Sequence, residues 1–308
     1  MKKRTAYAML LLAAFFWGAG NVANKTVLEH LSPSATVALR CVIAALVIAP
    51  LALREARQCR QPAFLASAVV VSALFAGALY FQQIAFASTT VTNASFLINT
   101  ASILTPLVAW ATFGERQGLP IVGAAGITVI GAFMMTGGSF SPSTLNRGDV
   151  FCLISALLYA GWMVALGRHA VAFGRPFCTS LVQFILTATV LGTATLRASP
   201  PLLADVAAAW PELLALGVFS TAAAFVLMAR AQEHVTPSAA AVLVSAESLF
   251  GAAGGYLLLA ERTPVFGMVG AALILAGIVL GMTMTDCRPA PPKARAAPKR
   301  TALFSIVS

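Results

Sequence analysis

Ten long apolar runs, each close to the length that crosses a bilayer, leave this 308-residue chain few ways to fold. A span needs about 20 apolar residues. Charged residues, prolines and glycines divide the chain into Ala6–Val22, Pro33–Leu53, Pro62–Ala85, Val91–Phe113, Leu119–Met135, Asp149–Leu166, Pro176–Leu196, Pro211–Met228, Pro237–Leu259 and Pro264–Met284. Hydrocarbon offers the backbone no hydrogen-bond partner, so only helices or a closed barrel can cross it. Barrel strands alternate polar and apolar residues, whereas these runs are continuous, so helices are expected. The composition agrees, with 59% hydrophobic and only 10% charged residues, against about 25% charged in a soluble domain. The expected fold is an all-α polytopic membrane protein with ten transmembrane helices. Its connections are mostly short and leave no room for an extramembrane catalytic domain.

The first run follows Lys2-Lys3-Arg4, which is how a secretory signal begins. No clear small-x-small cleavage site closes it, and Asn21, Asn24 and Lys25 lead straight into the next span, so a retained signal-anchor is the simpler account. Basic residues set orientation. With the N-terminus inside, 15 of the 20 basic residues fall on cytoplasmic segments, among them Arg54, Arg57, Arg60, Arg116, Arg168, Arg175 and Arg230. Both termini are then cytoplasmic, and the membrane is the inner membrane of a bacterium. The net charge of +10 reads as this topology signal, not as a nucleic-acid footprint. Residues 285–308, rich in Pro, Ala, Lys and Arg, are expected to form a disordered basic tail able to touch anionic lipid.

Enzyme chemistry finds little support. The five cysteines are scattered without CxxC spacing, so neither a metal site nor a disulfide framework is indicated. His30, His169 and His234 fall at helix ends, where solvated roles are expected, and neither HExxH nor GxSxG occurs. No cofactor is implied. One residue does stand out: Glu247 sits alone inside an apolar run, where a carboxylate costs roughly 2.5 to 3.5 kcal/mol on insertion scales. Such a residue faces either a watery cavity or a partner on a neighbouring helix.

The chain also repeats itself. Residues 90–131 lie on residues 236–277 without a gap at an offset of 146, so that Ala94 meets Ala240, Leu97 meets Leu243, and Gly114-Glu115-Arg116 meets Ala260-Glu261-Arg262. Farther upstream, Trp17 pairs with Tyr159. Two halves follow, residues 1–136 and 149–284, joined by a connection at 137–148. Five helices per half is an odd number, so the halves enter the membrane in opposite senses. Inverted repeats of this kind suit alternating access around a site near the midplane.

Trp17-Gly18 and Asn21 in the first helix, Leu31-Ser32-Pro33 leading to Arg40 in the second, and Gly114-Glu115-Arg116 after the fourth resemble the EamA-type drug/metabolite transporters. Ala85-x-x-Ser88, Glu247 and Ala260-Glu261-Arg262 match the second family copy, and the likeness covers about residues 5 to 284. One departure concerns the ninth helix, which in the family often reads Glu-Pro-Val and here reads Glu247-Ser248-Leu249. The missing proline removes a source of kinking, and Gly251, Gly254 and Gly255 are the alternative places for the helix to loosen.

The resemblance implies export of small metabolites, commonly amino acids or related compounds, through a central cavity lined by helices one, three, four, six, eight and nine. Helices five and ten are peripheral in that arrangement. Their glycines (Gly123, Gly126 and Gly131; Gly270, Gly277 and Gly281) suit close packing, within a monomer or across a homodimer. Substrate-site candidates on the cavity helices are Trp17, Asn21, Tyr80, Gln83, Asn93, Asn99, Thr100, Tyr159, Trp162, Ser245 and Glu247, each with interhelical bonding as its alternative role. Trp17 and Tyr159 would form aromatic walls on either side of the pseudo-twofold axis. Glu247 would pair with a substrate ammonium or carry a proton across to drive antiport. Arg40, near the outer end of its helix, is expected to reach toward the interface in a structural role, with binding of a substrate carboxylate as its alternative. Glu115 and Glu261, each before an arginine, look like interfacial anchors or gates. The rival readings are a multidrug or lipophilic-cation exporter, with Glu247 as counter-ion, and a membrane sensor or assembly factor without turnover.

Overall fold

A computed structural model describes residues 3–55, 59–115, 118–135, 146–259 and 265–286. The connection at 137–148 falls largely outside these residues, as do Arg116, Ala260-Glu261-Arg262 and the tail beyond 286. The described residues build ten apolar helical segments: α1 (Lys3–Thr26), α2 (Pro33–Glu55), α3 (Pro62–Ser88), α4 (Val91–Asn99 continued by Ala101–Phe113), α5 (Leu119–Met135), α6 (Arg147–Phe173), α7 (Pro176–Ala198), α8 (Trp210–Gln232), α9 (Pro237–Val244 continued by Glu247–Leu259) and α10 (Val265–Asp286). Nine are long and apolar enough to cross a membrane, and α5 is a shorter apolar helix of 17 residues. The fold is a two-repeat, all-α, multi-pass membrane protein.

Local chemistry accounts for where the helices begin. Pro33, Pro62, Pro176, Pro211 and Pro237 occupy first-turn positions, where the absent N–H costs nothing and the fixed φ already suits a helix. The helix α6 starts on a capping box: the Asn146 side chain accepts from the Asp149 N–H at 2.9 Å, and Asp149 accepts from the Asn146 N–H at 3.1 Å. Asp149 also accepts from Asn93 at 2.6 Å and Thr89 at 3.3 Å, which ties the start of α6 to the corner between α3 and α4.

Breaks inside the helices follow the repeat. In α4 the chain tightens at Asn99–Thr100, with the Thr100 N–H donating to the Leu97 carbonyl. In α9 it tightens at Ser245–Ala246, where those N–H groups donate to the carbonyls of Val242 and Leu243. These places are equivalent under the offset of 146. The repeat also aligns the caps, since Thr90 accepts from the Asn93 N–H and Thr236 from the Ala239 N–H. The interruption in α9 therefore falls just before Glu247 and not at Gly251, Gly254 or Gly255. The helix α8 carries a different irregularity, a π-helical stretch over Ala215–Ala223.

Packing runs between the halves as much as within them. The broadest contacts pair α5 with α10, α3 with α6, and α2 with α7, while α1 lies against α8 and α9. Large apolar side chains such as Leu46, Leu53, Leu257 and Met268 remain on the outside, as a lipid-facing surface requires. The interior is joined by aromatic contacts, with Phe225 meeting Trp17, Phe75 and Trp162 at ring separations of 5.0, 4.7 and 5.4 Å. Glycine lets α5 and α10 touch: a Cβ on Gly131 would lie 2.5 Å from the Gly270 carbonyl oxygen, and one on Gly277 would lie 2.9 Å from that of Ala124. Gly123 and Gly126, grouped with them from the sequence, have nothing within 4 Å of such a Cβ.

Candidate functional site

A central cavity lies where the two halves face each other. All six helices the resemblance implied contribute to it, and α2 joins them through Arg40. On α1, Trp17, Asn21 and Asn24 recur at helical spacing and form one wall. The second part of α9 begins at Glu247, which is half-buried and lines the cavity opposite that wall. What permits their approach is Gly18, since a Cβ there would sit 2.5 Å from the Phe250 Cβ and 2.6 Å from the Glu247 carbonyl oxygen.

Polar side chains of the cavity form one connected chain. Asn21 Nδ2 donates to Glu247 Oε1 at 2.9 Å and to Ser95 at 3.1 Å. Asn24 Nδ2 donates to Asn21 Oδ1 at 3.4 Å, and Arg40 donates through a terminal nitrogen to Asn24 Oδ1 at 2.9 Å. A basic and an acidic side chain thus stand at opposite ends of two amides. The rest of the Arg40 guanidinium is held by the π-helical part of α8, with Nε donating to Thr221 at 2.7 Å and the other terminal nitrogen to Ser220 at 3.0 Å. Arg40 is 2% exposed. It turns inward to these partners, not outward to the interface as its depth in α2 suggested. Lys25, the neighbouring cation, is spent elsewhere: its ammonium donates to the carbonyls of Phe86 and Thr89 at 2.7 and 2.9 Å, capping the end of α3.

Aromatic residues complete the enclosure. Trp17 Nε1 donates to the Ser220 carbonyl oxygen at 3.0 Å, and the Tyr159 hydroxyl donates to Gln82 at 2.7 Å. Each repeat-aligned aromatic thus crosses to a helix of the other half. Trp162 donates to Gln183 at 2.7 Å. Asn99 also lines the cavity, and its amide nitrogen is buried with no partner among the described residues.

The structure brings together Trp17, Asn21, Asn99, Tyr159, Trp162 and Glu247 from the candidates read in the sequence. The remaining ones stand apart from the cavity. Tyr80 is half-buried beside Phe81, Gln83 donates to the Asn24 carbonyl, Ser245 donates to the Ala241 carbonyl, Asn93 serves Asp149, and Thr100 donates to the Leu97 carbonyl. Sequence reasoning missed Asn24, Gln82 and Ser95. Asn24 was within reach, because it lies one helical step from Asn21 on the face of Trp17. His169 is also unlike its expected solvated self: it is 1% exposed, hydrogen-bonded to Ser67 and Thr179, and packed by Phe64 and Phe173.

Comparison with known proteins fits this arrangement. An uncharacterized transporter of Archaeoglobus fulgidus is 27% identical over 286 residues, covering 91% of this chain and 86% of its own. The uncharacterized transporter YwfM of Bacillus subtilis is 25% identical over 299 residues, covering 91% and 94%. A solved crystal structure superposes with a TM-score of 0.77 at 18% identity, covering 92% of this chain and 99% of the other, a likeness of fold. The model of the EamA-like transporter family matches twice, over residues 4–137 and 146–283. With two copies of that family's unit meeting around one cavity, the chain belongs to the EamA-like transporter family.

Proposed function

We propose that this transporter exports small metabolites, amino acids or kindred compounds, by alternating access from the inner membrane of a bacterium, with both termini in the cytoplasm. The observation that carries this reading is the cavity between the halves, where Glu247, fixed by Asn21, faces aromatic walls from both repeats. Small-molecule sites combine apolar and aromatic walls with a few oriented polar groups, which suits an amphipathic cargo. Glu247 either pairs with the cargo's ammonium or exchanges a proton between the two sides. A proton or other unit charge moving with the membrane potential gains about 2.3 kcal/mol per 100 mV. Against a lipophilic-cation cargo stands Arg40, whose like charge would meet such a molecule in the same cavity.

The test is the metabolite profile of the growth medium from cells overproducing the native protein, beside cells overproducing Glu247→Ala at equal membrane abundance. Accumulation of particular amino acids or related metabolites with the native protein alone is the expected outcome. A profile equal to that of an empty control in both strains would overturn amino-acid export.

A further inference from the structure

We infer that Arg40 is the cargo's carboxylate-binding residue, so that the cavity is two-poled and takes molecules bearing a free carboxylate as well as an ammonium. This rests on the export reading above and deepens it at the level of substrate class.

A guanidinium has five N–H donors and no acceptor. Three of those of Arg40 are occupied, by Thr221, Asn24 and Ser220, and all three acceptors are neutral oxygens. One N–H therefore remains on each terminal nitrogen, on a side chain that is 2% exposed and lines the cavity. A carboxylate takes two N–H groups of one guanidinium at once. Three anchors from two helices also fix the plane of the group, so little ordering is left for the cargo to impose.

The charge balance points the same way. A buried cation without a charged partner is costly, and among the described residues no carboxylate pairs with Arg40. Glu247 is separated from it by the two amides of Asn21 and Asn24. The missing counter-charge is then supplied by the cargo. A single cation matches a monoanion, and Glu247 in the same cavity disfavours a dianion. The ammonium end of the cargo lies toward Glu247, and its apolar remainder lies against Trp17, Trp162 and Phe225.

The experiment is counterflow into proteoliposomes of the purified full chain, run first with each of the twenty amino acids as probe. The amino acid carried fastest is then compared with its carboxamide and its decarboxylated amine, in the native protein and in Arg40→Gln. The native protein is expected to carry the amino acid at least about tenfold faster than either analogue, as a site built around a charged group rejects molecules lacking it. In Arg40→Gln that preference is expected to fall to about threefold or less. The analogue comparison in the native protein needs no variant to fold. If the native protein carries carboxamide and amine as fast as the amino acid, the assignment of Arg40 is overturned while amino-acid transport stands. If no amino acid is carried at all, amino-acid export fails, and the assignment falls with it.

Discussion

At the scale of single residues, charge was the most legible signal and orientation the least. Glu247 announced itself by isolation in an apolar run, and it does line the cavity with Asn21 as its donor. Arg40 was equally visible as a charge, yet its direction was not. Depth in a span can be read from sequence, whereas the Arg40 partners Ser220 and Thr221 come from a helix about 180 positions away. The serines of the cavity carry no mark that separates them from interhelical serines elsewhere. Glu247→Gln tests the residue scale, because it keeps an acceptor for Asn21 while removing the exchangeable charge. Cargo flux in proteoliposomes is expected to fall by about tenfold or more, as for loss of one member of a desolvated polar pair, and the variant's residual flux should not change with pH. A variant with native flux and native pH response would exclude both roles given to Glu247.

At the scale of helices, the repeat was readable to the residue over 90–131 and 236–277, and the structure places matching caps and matching breaks on it. What the sequence could not say is which glycines touch anything. Composition marks a small residue, but only the register of two packed helices decides whether its missing Cβ is needed. Gly18→Ala and Gly123→Ala make the contrast measurable. The first places a methyl group against the backbone of α9 beside Glu247 and is expected to destabilise the protein by about 1–3 kcal/mol, the usual range of overpacking. The second meets open space and is expected to be neutral, or stabilising by up to about 1 kcal/mol through helix propensity. Thermal unfolding of both variants in detergent reads the difference. Equal Tm values would mean that α1 and α9 do not depend on this close approach.

At the scale of the whole molecule, ten apolar runs were enough for the fold class, because hydrocarbon permits so few alternatives. The cavity was not legible as a place, only as a set of helices. Its position depends on how α1 of one half inserts beside α8 and α9 of the other, a matter of packing among segments that all look alike from outside. The contact between α5 and α10 carries a consequence of its own. The repeat sends Gly131 to Gly277 and Ala124 to Gly270, so the meeting of Gly131 with Gly270 becomes the meeting of Gly277 with Ala124, and both are present. The two meetings are images of each other, so the seam of α5 and α10 lies across the axis that exchanges the halves, and on the alternating-access reading proposed above it is the expected pivot. On that reading the seam keeps its geometry while α1 and α9 change theirs. Paired cysteines test the moving place, since Val22 Cγ2 lies 3.1 Å from a Cβ at Gly254. A disulfide across 22 and 254 is expected to stop transport until reduced, and unimpeded transport with that disulfide formed would mean that α1 and α9 do not separate. A seam built the same way from both halves is then where the proposed exchange of shapes would leave its neighbours unchanged.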